Sequence, residues 1–125
     1  MSELQDRINE LTSRMLQREL YVVLTTPIKP MSELLPLLPG HLNYIDLEKR
    51  GMLFASGPFL AGKDLLPGTG MTILRAGSLE EAEAIAWEDP LNKSGMRTFE
   101  VRTWQLNEGS FTVTVNYSDR SYHIE

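Results

Sequence analysis

Leu4, Ile8, Leu11 and Met15 recur at helical spacing, with Glu3, Asp6, Arg7, Glu10 and Arg14 over the other side. This predicts an amphipathic helix over residues 2–17, capped by Ser2, whose stripe either packs on the domain or forms a dimer-contact arm. The period then changes. Leu20, Tyr21, Val22, Val23 and Leu24 run without alternation, the pattern of a strand over 19–26 buried on both faces. So small a chain has few helices with which to cover two faces, so a partner subunit is one cover for the second.

Residues 27–39 hold four prolines and predict a connection with one helical turn at 32–35. Pro39 suits the first turn of a helix running to about Arg50, with Leu38, Leu42 and Ile45 on its apolar side and Gly51 as its stop. A second strand over 52–55 leads into Ser56-Gly57-Pro58-Phe59. The glycines and proline of 60–70 predict a loop, and 71–76 a third strand. Ser78-Leu79-Glu80-Glu81 is a capping box. It opens a helix with Ala82, Ile85 and Ala86 on one face, ending at Pro90.

A fourth strand follows at 97–106, changing phase between Thr103 and Trp104. Asn107-Glu108-Gly109-Ser110 reads as a hairpin loop into a fifth strand over 111–117, where apolar and polar residues alternate. The order is helix, then β-α-β-β-α-β, then an added strand. The inner pattern is the ferredoxin-like split βαβ arrangement of an α+β protein with an antiparallel sheet. The predicted organisation is an N-terminal helix at 1–18, a ferredoxin-like domain at 19–118 and a C-terminal tail at 119–125. Its helices lie on one face of the sheet, leaving the other for a second copy: a homodimer.

Composition narrows the class. At 125 residues, 42% hydrophobic and 23% charged, this is one globular domain with enough chain for a core. The net charge is −5 and Lys and Arg are scattered, which disfavours nucleic acid. The absence of cysteine excludes disulfides, thiolate metal sites and cysteine nucleophiles. It also suits a reducing cytoplasm. Neither a signal peptide nor a membrane span is legible, so the expectation is a cytoplasmic protein without a membrane partner.

Two residues carry the candidate chemistry. His41 falls in the first turn of its helix, where the positive end of the dipole favours a neutral ring usable as a base. Read alone, it is either that or a half-buried histidine without a role. Asp89 continues the stripe of Ala82, Ile85 and Ala86 at the negative end of its helix. Either it curls out to water or, buried, it needs a partner. If both helices present these residues to their shared face, Asp89 orients the His41 ring and stabilises its protonated form. Ser56, Gly57 and Pro58 offer a fixed turn where backbone groups can approach a ligand, or form a plain turn.

Other chemistries fare worse. Residues 57–64 nearly spell a phosphate loop, but Asp64 replaces the magnesium-binding hydroxyl and Leu65-Leu66-Pro67-Gly68 cannot start the required helix. His41 and His123 have no metal-ligand spacing, so a metal is not expected.

Several stretches together resemble the YCII-related family of the dimeric α+β barrel type. They are His41-Leu42 with Tyr44, Gly51-Met52-Leu53 leading into Ser56-Gly57-Pro58, Ser78 to Ala82, Asp89-Pro90 and the segment from Val101 to Trp104. The resemblance spans about residues 19–106. It implies a homodimer whose active-site pair is His41 and Asp89, binding a small molecule without a cofactor. Chemistry in such proteins includes dehydrochlorination of a chlorinated hydroxyhydroquinone, and related barrels isomerise muconolactone. An arginine that often precedes the family histidine is replaced here by Leu37-Leu38-Pro39-Gly40. Arg75, Arg97 and Lys63 are the possible substitutes, each readable otherwise as a solvated surface charge. The expected function is acid–base elimination or isomerisation of a small phenolic, quinoid or lactone compound, against a non-catalytic ligand-binding or regulatory dimer.

Overall fold

The computed structural model of the chain describes residues 2–37, 39 and 46–125. They divide into two compact units, Glu19–Gln105 and a smaller one made of the residues up to Arg18 together with Leu106–Glu125. The larger unit is built on a four-stranded sheet. β1 spans Arg18–Pro27, β2 Leu53–Ala61, β3 Asp64–Leu74 and β4 Arg97–Leu106. Their order is β2-β3-β1-β4, with β3 antiparallel to both β1 and β2. The Ile28 amide donates to the Met96 carbonyl and the Thr98 hydroxyl to that of Thr26, so β4 also runs against β1. This is the ferredoxin-like order, and the α+β, antiparallel expectation holds.

Two short helices, α2 (Met31–Leu34) and α3 (Asp46–Lys49), with a 3-10 turn at Leu35–Leu37, lie between β1 and β2. After Lys49, Gly51 takes φ +75° and donates to the Glu48 carbonyl, while Met52 donates to that of Leu47. These two bonds form the Schellman stop, which requires a left-handed residue at that position. α4 (Leu79–Trp87) starts as the capping box predicts, with the Ser78 hydroxyl accepting from the Glu81 amide at 3.1 Å. The Glu81 carboxylate reaches one residue further back than expected and accepts from the Gly77 amide at 2.9 Å. Ser78→Ala removes the acceptor for an orphan amide and lowers stability by about 1 kcal/mol, read from a urea unfolding curve.

The core lies between one sheet face and the helices. Tyr21, Val23 and Leu74 from the sheet meet Ala82, Ile85 and Ala86 of α4 and Leu47 of α3, with Phe99 and Val101 packed alongside. On the opposite face β1 carries Val22 and Leu24, both half-buried. Met71 and Trp104 remain 38% and 40% exposed. The unalternating run in β1 therefore reflects apolar residues on both faces, with one face more fully covered than the other.

Three expectations are corrected. Residues 60–70 are not a loop: β2 and β3 continue as one hairpin to Ala61↔Asp64, closed by the two-residue turn Gly62–Lys63. The positive φ of +61° falls on Gly62, as in a type II′ turn. Second, β5 (Val113–Val115) is shorter than expected and pairs with β6 (Tyr122–Ile124). The segment 107–110 is thus not a hairpin loop returning from β4, and residues 119–125 contain a strand where a tail was expected. Third, α1 ends at Thr12, within the expected 2–17. The Thr12 and Ser13 hydroxyls donate back to the Ile8 and Glu10 carbonyls, and the Gln17 amide to that of Thr12. Ser2 caps α1 as predicted, and no residue of α1 is buried. No helix among the described residues is long and apolar enough to cross a membrane.

Candidate functional site

His41, with Leu42 and Tyr44, lies outside the described residues. The other site residues fall into two groups. The first is built where α4 ends. That helix stops at Trp87, so Asp89 is not on its last turn but is the N-cap of the next helix, α5 (Pro90–Lys93). Asp-Pro is a natural opening for a helix: the carboxylate accepts an orphan amide and proline supplies a preset φ without needing a donor. Asp89 Oδ1 accepts from the Leu91 amide at 2.9 Å. The dipole at this position favours a carboxylate, the reverse of the expectation for a helix C-terminus.

Of the two alternatives for Asp89 the structure shows burial, at 2% exposure, so its charge needs compensation. The cation beside it is Arg97, from the start of β4, whose Nη2 donates to Asp89 Oδ2 at 2.9 Å. Arg97 is itself 8% exposed, which corrects its reading as a solvated surface charge. Its Nε donates at 2.6 Å to Oδ1 of Asn92, and Asn92 Nδ2 donates at 2.8 Å to the Ala86 carbonyl. Asn92 is also buried. The result is a continuous polar chain, Ala86–Asn92–Arg97–Asp89–Leu91, within the fold. Arginine suits it because the planar fork presents separate donors to two acceptors at once.

The second group is on the sheet. Ser56 faces Thr72 across β2 and β3, their hydroxyls 3.1 Å apart. Thr72 is two residues from Leu74 and pairs with Val23, so this hydroxyl pair lies on the helix-covered face. Gly57 and Pro58 are not a strand-end turn: they stand inside β2, opposite Met71 and Gly70. A Cβ on Gly70 would lie 3.2 Å from the Gly57 carbonyl oxygen, so glycine lets the two strands approach closely there. On the other face, Ala55, Gly57 and Phe59 line a depression of about 300 Å³ with Met71 and Ile73.

Ser56 stands on β2, and the Arg97 that partners Asp89 stands at the start of β4; these are the outer strands, three interstrand steps or roughly 14 Å apart. Of the other cations considered, Arg75 is half-buried and ties β2 to β3, its Nη1 donating to the Leu53 carbonyl at 2.9 Å and its guanidinium stacking 5.2 Å from the Phe54 ring. Lys63 is exposed in the hairpin turn. Asn92 and Thr72 were not singled out from sequence. Asp89-Pro90 followed by Asn92 carried a usable signal in its N-cap signature, whereas nothing local announces Thr72.

The fold and sequence have counterparts. Among solved structures, the chain is similar to 5-chloro-2-hydroxyhydroquinone dehydrochlorinase (TftG) from Burkholderia phenoliruptrix AC1100, in complex with 2,5-dihydroxybenzoquinone. Identity is 20%, coverage is 68% of this chain and 92% of that one, and the TM-score is 0.56. A comparison with curated proteins gives no match. The YCII-related domain matches residues 20–105, most of the 125-residue chain and nearly the whole of the larger compact unit. The solved structure shares the ferredoxin-like α+β fold, and by the domain match the chain belongs to the YCII-related family.

Proposed function

We propose that this protein is a cytoplasmic, homodimeric enzyme that moves protons on a small phenolic, quinoid or lactone compound, by elimination or isomerisation. His41 acts as base and then acid, and Asp89 orients its ring. Ser56, with the backbone at Gly57 and Pro58, meets an oxygen of the ligand. The observation that carries this reading is Asp89 itself, a carboxylate 2% exposed and held at both oxygens. A buried ion pair is often no more stabilising than apolar residues in its place, so its presence favours a chemical role. The activity and bound ligand of the similar dehydrochlorinase support the substrate class.

In this reading the base removes a proton from the ring compound, and the imidazolium returns it at a second atom or to a departing group. The Ser56–Thr72 pair has two hydroxyl protons and uses one between its own oxygens, leaving one for a ligand oxygen. The half-buried Val22 and Leu24, beside the exposed Met71 and Trp104, are the surface on which a second copy would close.

The test is a thermal-shift screen with 2,5-dihydroxybenzoquinone and with small phenolic and lactone acids. A compound present at 100 times its Kd stabilises the native state by about 2.7 kcal/mol, enough to raise the melting temperature measurably. The expected result is such a rise in the natural protein and a smaller one in Ser56→Ala. No rise with any of the three classes would overturn the reading.

A further inference from the structure

We infer that Arg97 and Asn92 are positioning residues of this site, which fix the Asp89 carboxylate in rotation so that it presents one defined acceptor edge to its catalytic partner. The inference rests on the proposed His41–Asp89 pairing and adds residues from outside it. The carboxylate is pinned from two elements: Oδ1 by the Leu91 amide of α5, and Oδ2 by Nη2 of Arg97 on β4. A single bond would leave it free to swing about χ2, a soft torsion. Two bonds to different oxygens do not.

Arg97 is aimed in turn. Its Nε donates to Asn92 at 2.6 Å while its Nη2 donates to Asp89. An ionised carboxylate has about four lone-pair sites. The Leu91 and Arg97 bonds fall on different oxygens, so each oxygen keeps its orientation. Asn92 is anchored to the Ala86 carbonyl at 2.8 Å, on the end of α4. The chain of bonds thus refers the carboxylate's orientation back to a helix packed in the core. A fork with separate donors is needed at its centre, which a lysine ammonium cannot supply with the same geometry.

The readout is the tautomer of His41, measured by ¹⁵N chemical shifts at a pH above the ring's titration. The chain has two histidines, so assignment needs only His123→Gln as a reference. In the natural protein one tautomer is expected, set by the oriented carboxylate. Asn92→Ala and Arg97→Lys are each expected to bring in the second tautomer while the protein stays folded. Asp89→Asn examines the underlying pairing. If Asp89→Asn changes the tautomer but Asn92→Ala and Arg97→Lys both keep the natural signal, the positioning role is overturned and the pairing stands. If Asp89→Asn also leaves the signal unchanged, the pairing fails and the inference falls with it.

Discussion

Arg97→Met lowers the stability of the protein by about 3–5 kcal/mol, seen as a fall in the urea midpoint at unchanged slope. The change keeps much of the side chain's volume and removes its charge. It leaves Asp89, 2% exposed, without the guanidinium that sits 2.9 Å from it. It also leaves the Asn92 side-chain oxygen without its 2.6 Å donor. The cost comes from stranding a buried charge and not from the intrinsic worth of the pair, and a second variant separates the two. In Asp89→Asn with Arg97→Met both charges are gone and asparagine still caps α5. The double variant is expected to regain most of the loss. A double variant as unstable as Arg97→Met alone would mean that the pair is held for stability.

The second large effect is on chemistry. Once a substrate is in hand, His41→Ala is expected to lower turnover by about 10²–10⁴-fold, the usual contribution of a positioned general base. The melting temperature and the oligomeric state should be those of the natural protein. Turnover unchanged in both His41→Ala and Asp89→Asn would exclude the acid–base reading and leave a non-catalytic ligand-binding or regulatory role.

How much of this was legible depended on how local the determining interaction is. The cap at Ser78, the stop at Gly51 and the bounds of β4 rest on signals within a few residues, and all were read correctly. The β2–β3 hairpin was hidden because glycine and proline were counted as loop formers. Pro58 stands on an outer strand, where a missing donor is tolerated, and Gly62 supplies only the turn. Asn107-Glu108-Gly109-Ser110 has turn chemistry and so predicts a return of β5 to β4, while the real partner of β5 is a strand of three residues with no pattern to read. At the site, the stripe of Ala82, Ile85 and Ala86 leaves Asp89 either buried or turned to water, and the structure buries it as the cap of the next helix. Its partner was not legible, since Arg97 lies eight residues on in another element, and charge at a strand start reads as solvated by default. Nor does sequence place Thr72 beside Ser56, because that pairing is a matter of register between two strands.

The proline within β2 has one more effect. An outer strand offers its unpaired amides to any other extended chain, and β2 carries Phe54, Phe59 and Leu60 exposed along its length. Pro58 has no amide to give, and the register of β2 against β3 slips between Leu53 and Ala55 and again between Pro58 and Leu60. A foreign strand adding to this edge meets a missing donor and two irregular steps within nine residues. The same segment that brings Ser56 to Thr72 thus also guards the molecule against edge-to-edge aggregation.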